Sequence, residues 1–109
     1  MTTIVIRKTE QNRYLGFTCM GHVGYADNEP DIVCAAVSVL VINTINAMEK
    51  LAGQKPMVCQ NEETGFIKCD FEDSLNEKSI LLMDAMILGL KSISKSYGKN
   101  YLQVKFEEV

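Results

Sequence analysis

The sequence predicts an α+β fold, a two-layer sandwich of order ββαββαβ in which two long helices cover one face of an antiparallel-rich sheet. Three observations carry this. Short segments alternate apolar and polar residues with the period of two that puts successive strand side chains on opposite faces. Two longer segments repeat apolar residues at helical spacing. Turn-forming residues divide the strand segments so that a pair precedes each helix. Alternation on one face means that one side of the sheet is packed and the other is more polar, and the apolar stripes of the helices close the packed side. With 109 residues, 47% of them hydrophobic, the chain suits a single domain over 1–109 whose core needs no disulfide or metal.

Ile4 to Arg7 reads as the first strand and Tyr14 to Gly21 as the second, with Leu15, Phe17 and Cys19 on one face. Gln11-Asn12-Arg13 turns the chain between them. Val23 to Pro30 (VGYADNEP) lacks periodicity and reads as a loop. Pro30 biases Glu29 towards extended geometry, and Asp31 is placed to cap a helix from Ile32 to about Ala52, with Lys50 near its end and Gly53 as its stop. Val37, Leu40, Val41, Thr44, Ile45, Met48 and Leu51 make its core stripe. The run from Ile32 to Ile42, broken only by Ser38, reads as a buried helix too short to cross a bilayer. Met57 to Gln60 is the third strand and Asn61 to Gly65 a turn. In Phe66 to Glu72, Ile67, Cys69 and Phe71 alternate with Lys68, Asp70 and Glu72. Ser74-Leu75-Asn76-Glu77 has the form of a capping box. It opens a second helix to about Tyr97, with Ile80, Met83, Met86, Ile87, Leu90 and Ile93 as its stripe and Gly98 at its end. Leu102, Val104 and Phe106 alternate in a final strand.

A net charge of −3 argues against a nucleic-acid surface as the main function and suits a basic peptide partner better. The first residues offer only Ile4-Val5-Ile6 before Arg7 and Lys8, which is no secretory signal. The expected location is the cytoplasm, away from membranes. The four cysteines, at 19, 34, 59 and 69, then stay reduced, and Cys59 and Cys69 read as core residues.

His22 is the only histidine. It follows Gly21 where the second strand gives way to the loop, and Cys34 stands twelve residues on, where the loop gives way to the first helix. A strand end and a helix start joined in this way can bring imidazole and thiol together, the minimum equipment of a cysteine nucleophile with a general base. With Asp31 as cap, Cys34 is the third helical residue. The positive helix end and its unpaired N–H groups there favour thiolate over thiol. The N–H groups of Cys34 and Ala35 are placed to hold a developing oxyanion. Asp31, a carboxylate that opposes the thiolate, is assigned to capping and to orienting His22. Ser38 lies one turn after Cys34 on the same face and can bond either the thiol or a carbonyl behind it. Gly21 suggests a backbone requirement.

Blander readings compete: Cys34 as a small buried hydrophobe, His22 as a surface residue. Zinc competes too, because Cys19-Met20-Gly21-His22 has a C-x-x-H spacing to which Cys34 adds a third donor. Alternation, however, turns Cys19 into the core and His22 to the other face, so no metal or organic cofactor is assigned.

Gly21-His22, a loop, and then Asp31-Ile32-Val33-Cys34-Ala35-Ala36-Val37-Ser38 together resemble the bacterial ribosomal-processing cysteine proteases, the Prp family. The likeness includes the His-to-Cys spacing, the chain length and the ββαββαβ order. The resemblance implies a cytoplasmic homodimer that removes a short N-terminal extension from a large-subunit ribosomal protein, L twenty-seven, cutting after an aromatic residue. It implies Cys34 as nucleophile, His22 as base, Asp31 as the acidic position before the cysteine and Ser38 as site-lining. The loop, with Gly24, Tyr25, Asp27 and Glu29, would then meet substrate. Glu29, where the family often has Gly, and the stiff Pro30 depart from its pattern and bear on loop opening. Asp27, Glu29 and Asp31 suit a basic ribosomal tail. The alternative is a non-enzymatic module that binds a ribosomal protein during assembly.

Overall fold

The computed structural model describes residues 1–21 and 31–109, with Asp31 by its backbone alone. The order is β1 (Thr2–Lys8), β2 (Tyr14–Met20), α1 (Asp31–Leu51), β3 (Met57–Asn61), β4 (Phe66–Asp70), α2 (Glu77–Tyr97) and β5 (Leu102–Glu108). The α+β sandwich and the element order are those the sequence predicts.

The five strands run in the spatial order β3-β4-β2-β1-β5. Neighbours are antiparallel except β1 and β5, which are parallel because α2 carries the chain across the sheet before β5 returns beside β1. Register puts Ile4 opposite Cys19, Ile6 opposite Phe17, Phe17 opposite Cys69 and Cys19 opposite Ile67. These residues make the sheet's share of the core. Val33, Val37, Val41 and Met48 from α1 and Met83, Met86, Ile87 and Leu90 from α2 close over them. Thr44 sits in that apolar stripe because its hydroxyl donates to Leu40 O at 2.7 Å.

The other sheet face is polar. Arg7 donates to Thr18 Oγ1 and Asp70 Oδ1, both at 2.7 Å, across three strands. A Cβ on Gly16 would lie 2.4 Å from Cys69 O, so only glycine fits beneath this network.

Several sequence expectations are corrected. α2 is capped by Asn76, whose side chain accepts from Ser79 N at 2.8 Å, and the Ser74–Glu77 capping box does not form. Asn76 wins because its Nδ2 also donates to Ala52 O at 2.8 Å, tying the start of α2 to the end of α1. Ile80 and Leu51 are exposed rather than on the core stripes. Cys59 is exposed, because β3 is the edge strand and the register with Lys68 points Cys59 to the polar face. The Ile32–Ile42 run is buried on one side only. Val33, Val37 and Val41 enter the core while Ile32 and Val39 are exposed. Over Ile32–Leu51, α1 is long and apolar enough to cross a membrane by length and composition, although its inner face is packed on the sheet. Gly53, at φ +67, ends α1 as expected and lets Gln54 N donate back to Met48 O at 2.9 Å.

Candidate active site

The site is built where three elements end. Thr3 of β1 pairs with Met20 of β2, so Gly21, the next residue along β2, comes level with Thr2. α1 begins over the same end of β1, and Thr2 Oγ1 lies 3.4 Å from Cys34 Sγ. The strand exit that leads to His22 and the helix start that bears Cys34 therefore meet beside Thr2.

α1 begins at Asp31, so Cys34 is its fourth residue, one further in than the cap reading gives. A fourth residue is the first whose N–H meets a helical carbonyl, as Ile80 N does with Asn76 O at 3.0 Å at the start of α2, so the unpaired N–H groups expected at Cys34 and Ala35 fall on earlier residues of α1. The sulfur still lies in the first turn, at the positive helix end. Cys34 is half-buried, open enough to react yet held by packing. Ala35 and Ser38 are exposed. Among the described residues, the hydrogen-bond partner of Sγ is Thr2, and Ser38 makes no such bond. Sequence reasoning missed Thr2. The available signal was a hydroxyl in step with Ile4 and Ile6, the core-facing side of β1.

Gly21 has a clear backbone reason. A Cβ there would come 3.2 Å from Gly65 O and 3.4 Å from Gly65 Cα. Gly65 closes the β3–β4 turn at φ +74, and Asn61 Oδ1 fixes that turn by accepting from Glu63 N at 3.0 Å. The end of β2 thus rests directly on a neighbouring backbone.

The other thiols are set apart. Burial pushes the Cys19 thiol up to about 11, and the nearby Cys34 charge adds to this. Burial pushes Cys69 up to about 12, with the Asp70 carboxylate raising it further and Arg7 pulling it back. Both stay protonated near neutral pH and lie in the core. Cys59 is exposed but sits on the far edge strand. Cys34 alone combines access with a helix start. His22, Gly24, Tyr25, Asp27, Glu29 and Pro30 lie outside the described residues, as does the side chain of Asp31. Among the described residues, no three potential metal ligands converge.

The sequence profile of cysteine protease Prp matches residues 1–102. The chain belongs to the cysteine protease Prp family. The ribosomal processing cysteine protease Prp of Bacillus subtilis (strain 168) is 33% identical over 104 residues, covering 92% of this chain and 93% of that protein. Among solved structures, Prp from S. aureus in complex with a substrate peptide superposes with a TM-score of 0.90 at 20% identity, over 98% of this chain and 100% of that one. The same protease with a covalently linked product peptide gives 0.88 at 21% identity, with the same coverage. SMU.848 from Streptococcus mutans gives 0.88 at 27% identity, over 100% of this chain and 96% of that one. The sandwich described above is therefore the Prp architecture, and this chain is a cysteine protease.

Proposed function

We propose that the chain removes the N-terminal extension of a large-subunit ribosomal protein, L twenty-seven, by cutting after an aromatic residue, with Cys34 as nucleophile and His22 as general base. The observation that carries this reading is the half-buried Cys34 thiol at the start of α1, level with the β2 end that leads to His22. The ribosomal substrate is supported by the name of the Bacillus subtilis relative, a ribosomal processing protease.

In this mechanism His22 takes the Cys34 proton. The thiolate then attacks the scissile carbonyl carbon, and the carbonyl π pair moves onto oxygen. The positive N-terminus of α1 stabilises that oxyanion. Collapse breaks the C–N bond, His22 returns the proton to the leaving amine, and an acyl-thioester remains on Cys34. His22 then deprotonates a water that hydrolyses the thioester and frees the thiol. Asp31 positions His22. Ser38 and Gly21 line the cleft, and the loop with Gly24, Tyr25, Asp27 and Glu29 contacts the peptide. Its carboxylates attract a basic tail, an effect that weakens as salt rises.

A second copy of the chain covers the exposed apolar side of α1, where Ile32, Val39 and Ile42 lie unburied. The homodimer works in the cytoplasm. Light scattering on the wild type and on Val39→Glu tests this; a monomeric wild type would contradict it.

The cleavage test is a peptide copying the host's own L twenty-seven extension, incubated with wild-type protein and with Cys34→Ser, the products read by mass. One cut after an aromatic residue, absent with Cys34→Ser, is the expected result. Binding without cleavage by the wild type would move the reading to a non-enzymatic assembly module.

A further inference from the structure

Thr2 lies outside the motif that marks the family. Its side chain is 97% buried, being 3% exposed, at the end of β1. The β5 side of the sheet holds it: Thr2 pairs with Leu102 in the parallel ladder, and its N–H donates to Tyr101 O at 3.0 Å. Being β-branched, it has little χ1 freedom in a strand. Among the described residues, the hydroxyl's partner is Cys34 Sγ, at 3.4 Å. Thr2 Oγ1 is not among the buried oxygens left unpaired, a group that contains Ser79 Oγ. The sulfur therefore satisfies it.

We propose that Thr2 is a positioning residue for the nucleophile: its buried hydroxyl donates a hydrogen bond to the Cys34 thiolate and holds Sγ at the mouth of α1. The direction of the bond follows from chemistry. A thiol is a weak donor and a weak acceptor, whereas a thiolate is a charged acceptor that can only receive. A buried hydroxyl with this one partner gains most when sulfur is ionised. Once His22 has removed the thiol proton, the Thr2 O–H remains as a donor that does not compete for it. When the thiolate becomes a neutral thioester this bond weakens, and it re-forms as the hydrolysis expels sulfur. The proposal rests on Cys34 as nucleophile, but the thiol's own reactivity can be read without any peptide.

Four side chains at position 2 separate hydroxyl from shape. Thr and Ser carry the hydroxyl; Thr2→Val keeps the shape of Thr without it, and Thr2→Ala keeps the smaller size of Ser without it. Iodoacetamide alkylation of the Cys34-containing peptide is followed by mass across pH 5 to 10, because the exposed Cys59 would confuse a bulk assay. Thr2→Val is expected to alkylate about three- to tenfold more slowly than wild type, the order of one hydrogen bond to a charged group. Thr2→Ser should retain most of the wild-type profile, and Thr2→Ala should resemble Thr2→Val. If Thr2→Val destabilises the fold, the Ser and Ala variants alone make the comparison. Equal profiles for Ser and Ala, or faster alkylation without the hydroxyl, would overturn the proposal; the latter would mean that the hydroxyl accepts from the thiol. Where wild type cleaves peptide, Thr2→Val should lower kcat with KM little changed. Where wild type cleaves nothing yet the alkylation pattern holds, the substrate reading fails and the Thr2 role stands.

Discussion

Substituting Gly21 by alanine probes how closely catalysis depends on the end of β2. The added Cβ would stand 3.2 Å from Gly65 O, inside the range of ordinary contact, so one of the two backbones must yield by a few tenths of an ångström. The Gly65 turn lies on the rim of the sheet and can give, which places the overpacking near the low end of about 1–3 kcal/mol. Loss of chain freedom in the unfolded state returns about 0.4–1 kcal/mol. The net loss is therefore about 0.5 kcal/mol or less, a fall in Tm of roughly 2 °C for a domain of this size. Activity should suffer more. The next residue is His22, and since a displacement of about 1 Å at a reacting group can cost about a hundredfold, a few tenths of an ångström predicts a loss of about three- to tenfold in kcat/KM. Gly65→Ala is the control. At φ +74 it strains the turn by about 1–2 kcal/mol, yet its Cβ meets Gly21 no closer than 3.4 Å. It should lower Tm while keeping most activity below the melting range. Thermal unfolding and peptide kinetics on both variants decide. Unchanged kcat/KM in Gly21→Ala, or an equal loss in Gly65→Ala, would refute the idea that this close approach positions the base.

Other expected outcomes follow from the packing. Gly16→Ala, whose Cβ would fall 2.4 Å from Cys69 O, should lose about 2–4 kcal/mol in urea denaturation. Gly53→Ala, with nothing within 4 Å but φ +67, should lose about 1–2 kcal/mol from strain alone. Asn76→Ala removes both the α2 cap and the bond to Ala52 O and should cost about 1–2 kcal/mol by the same assay, with Asn76→Asp in between. Ser79→Ala removes a buried hydroxyl with no partner among the described residues, so its urea midpoint should be unchanged or raised by up to about 1 kcal/mol of stability. Cys19 and Cys69 have folded pKa values of about 11 and about 12, above the ordinary 9.0, so the unfolded chain ionises first. Stability should be full below pH 9 and fall as pH rises towards 11, by up to about 1.4 kcal/mol per pH unit for each thiol. A Cys69→Ala variant with an undiminished slope would contradict this.

Much of the fold was legible because local and global signals agree. Alternation in Phe66–Asp70 and the helical stripe through Met83, Met86 and Leu90 both name the face that meets the core. Departures arise where one local pattern serves two outcomes. Ser74 and Asn76 are both competent caps, and only the tertiary bond to Ala52 O selects Asn76. Cys59 is a residue type that is usually buried, but its strand is an edge and its register with Lys68 turns it to the polar face. In α1 the stripe through Val37, Val41, Thr44 and Met48 is buried as the sequence predicts, and only Leu51 at its end falls outside the core. At the site, the Gly21–His22 and Asp31–Cys34 segments were visible as a motif, while Thr2 was not. A threonine near the chain start carries no chemical signature until parallel pairing with β5 and the overlying helix bring it to sulfur.

That pairing sets an order of events. β5 is the last element in the sequence, and it flanks the strand that carries Thr2. During synthesis the helix with Cys34 and the hairpin before it emerge while β1 still has an open outer edge. Its first residue lacks the carbonyl of Tyr101 that holds it in the finished fold. A nascent chain therefore presents Cys34 before β5 holds the strand end beside it.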